Sequence, residues 1–545
     1  MSSLLNNLRQ KLDGEAVVDT HTRDFFATDG GIFKIEPKLV IYPRSENDVV
    51  ETVKFSTHMA ESGRSLPITA RGKGTDQGGS SLSEGISLVF PAHMKKITRL
   101  TAQTVSVQPG LIYANLETVL KSHGRYLPPY PASVEFCTIG GAIANNAAGE
   151  KTLKYGATRN YVNGLRVVLH NGDIIETRRL NKKELKQKKK LDNLEGQLYS
   201  KLDELIEGNK ELIYKQKPGV SKNSAGYALW DIKRSDGSFD MSQLFVGSQG
   251  TLGVITEAQL RHVPFNPHTT LLVGYFESIA KMQQAVVKIA KLDPSAQELV
   301  DDNVIKFVLE NSPEVIKGLL PERMPKVILL VEFDDEKSKV QQKKAEAAKA
   351  ILSEYSFEHK ISTDKTEQDK LWRIRRQAAA VIWMNQGPKK ALPIIEDAIV
   401  PLDKFEEFAD KAYQILDKYK VSVAVWGHAG NGHLHIQPFM DLSNIKDRHK
   451  IFTLCDEFYK MVFSLGGSIS GEHNDGIMRG SYLRQMYGTE MFSLFREVKK
   501  LFDPNNIFNP RSKTGASKEY GIVHLRKEYS MKHLTEHLPG ISSFH

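Results

Sequence analysis

The chain has 545 residues, 40% of them hydrophobic, and a formal net charge of +9. That length allows two or three domains, each with its own core, and the apolar fraction is ordinary for a globular protein. Two cysteines, Cys137 and Cys455, exclude a disulfide scaffold and an iron–sulfur cluster ligated within these residues, and no apolar run of about 18 residues marks a transmembrane helix.

Residues 1–32 read as a polar lead-in with a short helix. The start, Met1-Ser2-Ser3-Leu4-Leu5, lacks the charged-then-apolar pattern of a secretory signal, and Asp13 and Glu15 come too early for a transit peptide. The expected compartment is the cytoplasm, with peripheral attachment at the inner face of a membrane as the alternative. A strand at 38–43, a helix at 46–62 capped from Ser45 and a strand at 65–70 follow. The last runs into Arg71-Gly72-Lys73-Gly74-Thr75-Asp76-Gln77-Gly78-Gly79-Ser80, whose glycines leave N–H groups to converge on an anion such as a diphosphate. It lacks the Lys-Ser/Thr of a P-loop and is not a G-x-G-x-x-G before a long helix. By itself it reads equally as a surface turn.

Strands at 87–90 and 104–110 precede a run of small residues from Thr138 to Gly149. A flat molecule could lie on that backbone, or the run could be a closely packed helix. Glycine-punctuated loops follow at 155–156, 223–227 and 245–255. The lysine-rich stretch at 178–190 reads as a solvated helix rather than a nucleic-acid surface, so no nucleic-acid partner is expected.

Beyond residue 264 the pattern changes. Strand 270–276, helix 279–291 and strand 297–300 are repeated as 327–333, 340–355 and 357–362. Two β-α-β units predict an α+β sandwich with helices on one face of an antiparallel sheet. Helix 366–383 carries Trp372-Arg373-Ile374-Arg375-Arg376, and 394–401 reads as a strand. Strand 421–426 delivers Trp426-Gly427-His428-Ala429-Gly430-Asn431-Gly432-His433-Leu434-His435. Helix 448–465 feeds Ser470-Gly471-Glu472-His473-Asn474-Asp475-Gly476. Imidazole and carboxylate are the usual ligands of zinc and its neighbours, so these two stretches are read as one site. A helix at 490–502 leads to Asn509-Pro510, and 514–545 reads as a polar, basic tail.

Together these segments resemble the FAD-linked oxidase family. A vanillyl-alcohol-oxidase (PCMH-type) FAD domain at 33–264 is followed by a glycolate oxidase and D-2-hydroxy acid dehydrogenase C-terminal domain at 265–513. The Gly-Glu-His-x-Asp-Gly form looks most like D-2-hydroxyglutarate and D-lactate dehydrogenases. The resemblance implies an α+β fold: a two-subdomain FAD-binding domain, a ferredoxin-like substrate domain and a C-terminal helical segment. It implies FAD wrapped by Arg71, Gly72, Lys73, Gly74, Thr75, Gly78, Gly79 and Ser80, and lined by Thr138, Gly141, Asn145, Gly149, Ile255 and Asn509. Thr75 stands where covalently flavinylated relatives have histidine, so the FAD is expected to be non-covalent. Metal ligands fall on His428, His435 and Glu472, with zinc expected and manganese or iron(II) as alternatives. The chain departs from the family at Asn431 and His433, at Asn474 (often Gly), at Gln249 (usually Glu) and at Arg511-Ser512. His433 is then an extra ligand, a group behind the ligands or a surface histidine.

The implied reaction is oxidation of D-lactate, D-2-hydroxyglutarate or glycolate to the 2-oxo acid. It needs a base, a hydride acceptor and a cation for the carboxylate. His473, whose ordinary pKa lies near neutrality, is assigned as base. Arg375 is assigned as the carboxylate clamp, with a helix-surface salt bridge as its other reading. The electron acceptor is expected to be separate: a quinone, a cytochrome, an electron-transfer flavoprotein or an iron–sulfur protein. A homodimer is a candidate assembly. The rival readings are an oxygen-using oxidase of another alcohol or aldonolactone, and a flavin subunit of a glycolate-oxidase-like complex.

Overall fold

A computed structural model describes residues 2–384 and 387–541. Its first sheet has four strands in the order Glu15–Val17, Leu39–Tyr42, Ile86–Val89, Ile68–Arg71. The last three run parallel, so Leu39–Tyr42 and Ile68–Arg71 need a crossover. Helix Glu46–Glu61 supplies it. Its cap is local chemistry: Ser45 Oγ accepts from Asp48 N at 3.3 Å, while Val49, Val50 and Val53 turn inward. The second sheet has six antiparallel strands, in the order Phe239–Asp240, Ile174–Leu180, Val162–Val168, Val254–Arg261, Thr104–Val107, Ile97–Leu100.

Between these sheets, the small-residue run forms helix Ile139–Asn145. Thr138 caps it by accepting from Gly141 N at 3.1 Å, and Asn146 ends it at φ 53°. The run is thus a packed helix, and its Gly141 and Asn145 also line cavities.

A seven-stranded antiparallel sheet follows, in the order Glu358–Ser362, Thr270–Phe276, Val327–Phe333, Ala296–Asp301, Val423–His428, His433–Met440, Lys390–Ala391. Helices cover both of its faces, not one. Leu272 and Phe276 join the core of helix Ile279–Ala290, while Leu271, Val273 and Tyr275 pack with Asp302–Asn311 and with Trp372 of Lys365–Met384. The reason lies in the strands themselves: Thr270–Phe276 and Val327–Phe333 are apolar almost throughout, without alternation, and every residue in them is buried. Losing a ring such as Trp372, 1% exposed, costs about 3–5 kcal/mol.

Residues 394–401 do not form the expected strand. They make a turn with an isolated bridge from Ile399 to His433 and Ser468, because the carboxylates of Glu396 and Asp397 are bonded across it. Helix Leu483–Phe502 breaks at Gly488 (φ 78°, ψ 166°). Residues 514–541, read as a polar tail, pack back on the protein: Leu525 bridges Phe33 and Arg526 N donates to Ile32 O at 3.0 Å. Their polarity concealed this, since the anchors are a few backbone bonds and scattered polar side chains such as Tyr529 and His533. The rest of that stretch, 542–545, lies outside the described residues. Among the described residues, no helix is long and apolar enough to cross a membrane.

Candidate active site

The hairpin Val423–His428/His433–Met440 places three imidazoles on one face. Alternate strand residues point the same way, and the register sets His428 opposite His433 and Trp426 opposite His435. The turn is closed by Gly432 at φ 72°, where a Cβ would meet the Val400 carbonyl at 2.3 Å. On the neighbouring strand, Glu298 Oε1 accepts from His428 Nδ1 at 2.7 Å, and Oε2 accepts from Arg375 Nε at 3.0 Å. Nothing in the strand sequence Ala-Gln-Glu-Leu-Val-Asp had marked Glu298.

The facing wall is the 470–476 loop, organised by two buried carboxylates. Asp397 accepts from Ser470 Oγ at 2.5 Å, from His473 N at 2.8 Å and from His433 Nε2 at 3.0 Å. Glu396 takes His473 Nδ1 at 2.5 Å on one oxygen and Arg479 Nη1 at 2.7 Å on the other. Glu396 and Asp397 fall in the stretch 394–401 expected only as a strand, and Arg479 was not singled out from sequence. Asn474 stands at φ 68°, which its short polar side chain tolerates. Its Nδ2 donates to Gly247 O at 2.9 Å and Asn145 O at 3.1 Å, and its Oδ1 accepts from Lys513 Nζ at 2.6 Å.

Nε2 of His428, Nε2 of His435 and Oε1 of Glu472 form a triangle with edges of 3.1, 3.3 and 3.3 Å. With Nδ1 of His428 donating to Glu298, its Nε2 presents a lone pair inward. Donors about 2.1 Å from one metal, at octahedral or tetrahedral angles, stand roughly 3.0–3.4 Å apart. The triangle therefore fits a divalent cation. Lys222, which the sequence reading missed beside its 223–227 loop, pairs with the other Glu472 oxygen. Burial would raise the Glu472 carboxyl, but Lys222 and His428 hold it well below the usual carboxylate range.

Burial also works to lower the His473 imidazole, yet Glu396 and Asp397 outweigh it and hold it up at about 9. His433 is fully buried and not a surface histidine. Burial, with Lys222 adding to it, pushes it down to about 3. Its ring stacks on that of His428 at 5.3 Å, and Asp397 holds its Nε2.

A cavity of about 670 Å³ opens onto this triangle, and His473 and Arg375 line it with Tyr130, Trp426 and Gln437. It adjoins a narrow cleft through shared walls at Thr75, Asp76, Gly141 and Asn145. The cleft is lined by Arg71, Gly72, Lys73, Gly74, Ser80, Thr138 and Ile255. The N–H groups of Gly72, Lys73, Gly74 and Thr75 donate to no acceptor among the described residues, as an anion-binding loop requires. A cofactor with a diphosphate and a flat ring system fits such a cleft. Gly149 lines the larger cavity. Gly78, Gly79 and Asn509 line neither. Gly78 packs on Asp475 and Gly476, Gly79 on Phe33, and Asn509 Nδ2 donates to Ser80 O and Gln249 O at 2.8 Å each. Arg71 turns its guanidinium to Phe26 O and Thr28 O, at 3.0 and 2.7 Å.

Residues 37–178 match the FAD binding domain family, and residues 266–512 match the C-terminal domain of FAD linked oxidases. The chain is 31% identical over 481 residues to the glycolate oxidase subunit GlcD of Bacillus subtilis, covering 87% of this chain and 88% of that one. It is 27% identical over 522 residues to the D-2-hydroxyglutarate dehydrogenase of Haemophilus influenzae. That match takes in 92% of this chain but spans only 50% of the relative's length. In fold it is similar to p-cresol methylhydroxylase, with a TM-score of 0.68 at 15% identity, covering 95% and 98% of the two chains.

Proposed function

From the premise that this chain belongs to the FAD-linked oxidases, we propose that it oxidises a small D-2-hydroxy acid to the 2-oxo acid. The observation that carries the reading is convergence: the His428–His435–Glu472 triangle, His473 and Arg375 face one cavity, and that cavity adjoins the glycine-lined cleft.

FAD in the cleft supplies the hydride acceptor that no side chain can provide. A divalent cation held by His428, His435 and Glu472 supplies the positive charge that acidifies a hydroxyl and disfavours a proton on nearby His473. The chain's own residues do the rest. Arg375, steadied by Glu298 through Nε, pairs with the substrate carboxylate and sets its orientation. Glu396 accepts from His473 Nδ1 and so leaves Nε2 as the atom that takes the hydroxyl proton. Arg479 and Asp397 keep Glu396 and the loop backbone in place.

The test is anaerobic. Purified yellow protein receives D-lactate, D-2-hydroxyglutarate or glycolate, with and without a chelator. Bleaching by one acid, prevented by the chelator, is the expected result. A yellow protein that no hydroxy acid bleaches moves the activity to another alcohol. A protein that takes up no FAD overturns the proposal.

A further inference from the structure

The segment beyond residue 512 falls outside both matched families, yet it reaches the site. Met531 and Leu534 line the large cavity alongside Thr75 and Asp76, where it joins the narrow cleft. His533, between them in the chain, is buried, and its Nε2 lies 2.9 Å from the Gly74 carbonyl oxygen. That oxygen also accepts from Gly30 N at 3.0 Å, and the Tyr529 hydroxyl donates to Gly30 O at 2.9 Å. Both sides of the contact are therefore tied to residues 526–534. Further on, Pro539 O accepts from the Tyr42 hydroxyl, and Leu538 and Ile541 pack on Phe26 and Tyr42. Anchors before and after His533 make the segment a strap rather than a loose end.

We propose that residues 526–541 are a retaining strap over the junction of the two cavities, with His533 as a positioning residue that fixes the 72–75 loop through Gly74. This rests on the reading of that cleft as the FAD site. Gly74 stands at φ 75°, and its N–H and those on either side of it donate to no acceptor among the described residues. Holding its carbonyl outward from both Gly30 and His533 keeps those donors turned into the cleft. His533 does this by donating from Nε2–H, since the Gly74 carbonyl oxygen can only accept. Met531 and Leu534 add an apolar wall at the mouth, so a bound cofactor leaves only after the strap lifts.

The experiment uses FAD-loaded protein passed through a desalting column, with release followed by the fluorescence of free flavin. Thermal unfolding of the FAD-free forms is measured in parallel. His533→Ala is expected to release FAD at least tenfold faster, with His533→Gln, whose amide reaches Gly74 O, restoring most of the retention. A chain ended at residue 525 should release it faster still. Unchanged release from His533→Ala, whatever its melting temperature, overturns the proposal. So does equal loss from His533→Ala and His533→Gln, and if the shortened chain fails to fold, that pair of variants decides the matter. Full-length protein that never holds FAD overturns this proposal together with the functional reading. Full-length and His533→Ala proteins that hold it equally well overturn the strap alone.

Discussion

His428 and His435 bring their Nε2 atoms to 3.3 Å from one another, each facing Oε1 of Glu472. Two imidazole nitrogens and a carboxylate oxygen cannot share that space comfortably without a proton or a cation between them. Purified protein is therefore expected to carry close to one divalent metal per chain by elemental analysis. His435→Ala or Glu472→Gln should reduce that to a small fraction and lower turnover by roughly a hundredfold or more. Full metal content in both variants would place the ion elsewhere.

His473 is separable from cofactor binding, because it lines the large cavity and not the narrow cleft. His473→Ala should keep its bound FAD and its melting temperature within a few degrees. Its flavin reduction by substrate should fall by about 10²–10⁴-fold, the usual worth of a positioned base. Rapid-mixing spectroscopy under anaerobic conditions measures this, and a variant reduced at the normal rate would remove His473 from the chemistry.

Arg375 meets Glu298 through Nε, so lysine at this position can replace the charge but not the fork. Arg375→Lys should raise KM for the hydroxy acid by roughly tenfold or more, while the flavin spectrum stays the same. An unaltered KM would assign the arginine to Glu298 alone.

Asn474 ties the 470–476 loop to Gly247 and Asn145 from a left-handed backbone position. Asn474→Ala loses those bonds and keeps the strain, and should cost about 1–3 kcal/mol in denaturant titration. Asn474→Gly relieves the strain and should cost less. The reverse order would mean that the left-handed backbone at this position carries no strain for a residue with a Cβ.

Burial, with the Arg71 guanidinium adding to it, pushes His533 down to about 3. An unfolded chain has an ordinary histidine near 6.5 there, so the unfolded state binds the extra proton between those values. The stability of the strap is fully present above about pH 6.5 and is lost as the pH falls towards 3. FAD release from the wild type should accelerate across that window, and His533→Gln should lack that part of the acid sensitivity. Identical acid profiles for the two proteins would count against this role of His533.

Local pattern carried much of this protein. The apolar runs at 270–276 and 327–333 read as strands, and Thr270–Phe276 and Val327–Phe333 are buried strands; the glycines after Ile68–Arg71 marked a loop there. The histidines of 428–435 and the Glu472-His473 pair were read as one site, but only the structure makes His433–Met440 a strand with His433 and His435 on one face. What sequence could not decide was pairing across distance. Glu298 reaches His428 only because two strands 130 positions apart are neighbours, and Lys222 meets Glu472 across 250. The turn at Glu396-Asp397 follows from bonds to a loop some 75 residues away, which override the strand preference of the isoleucines beside it. Residues 514–541 show the same limit. Their chain has no periodic apolar face, so only the tertiary structure, through backbone bonds to Ile32 and the His533 contact with Gly74, brings them to the site.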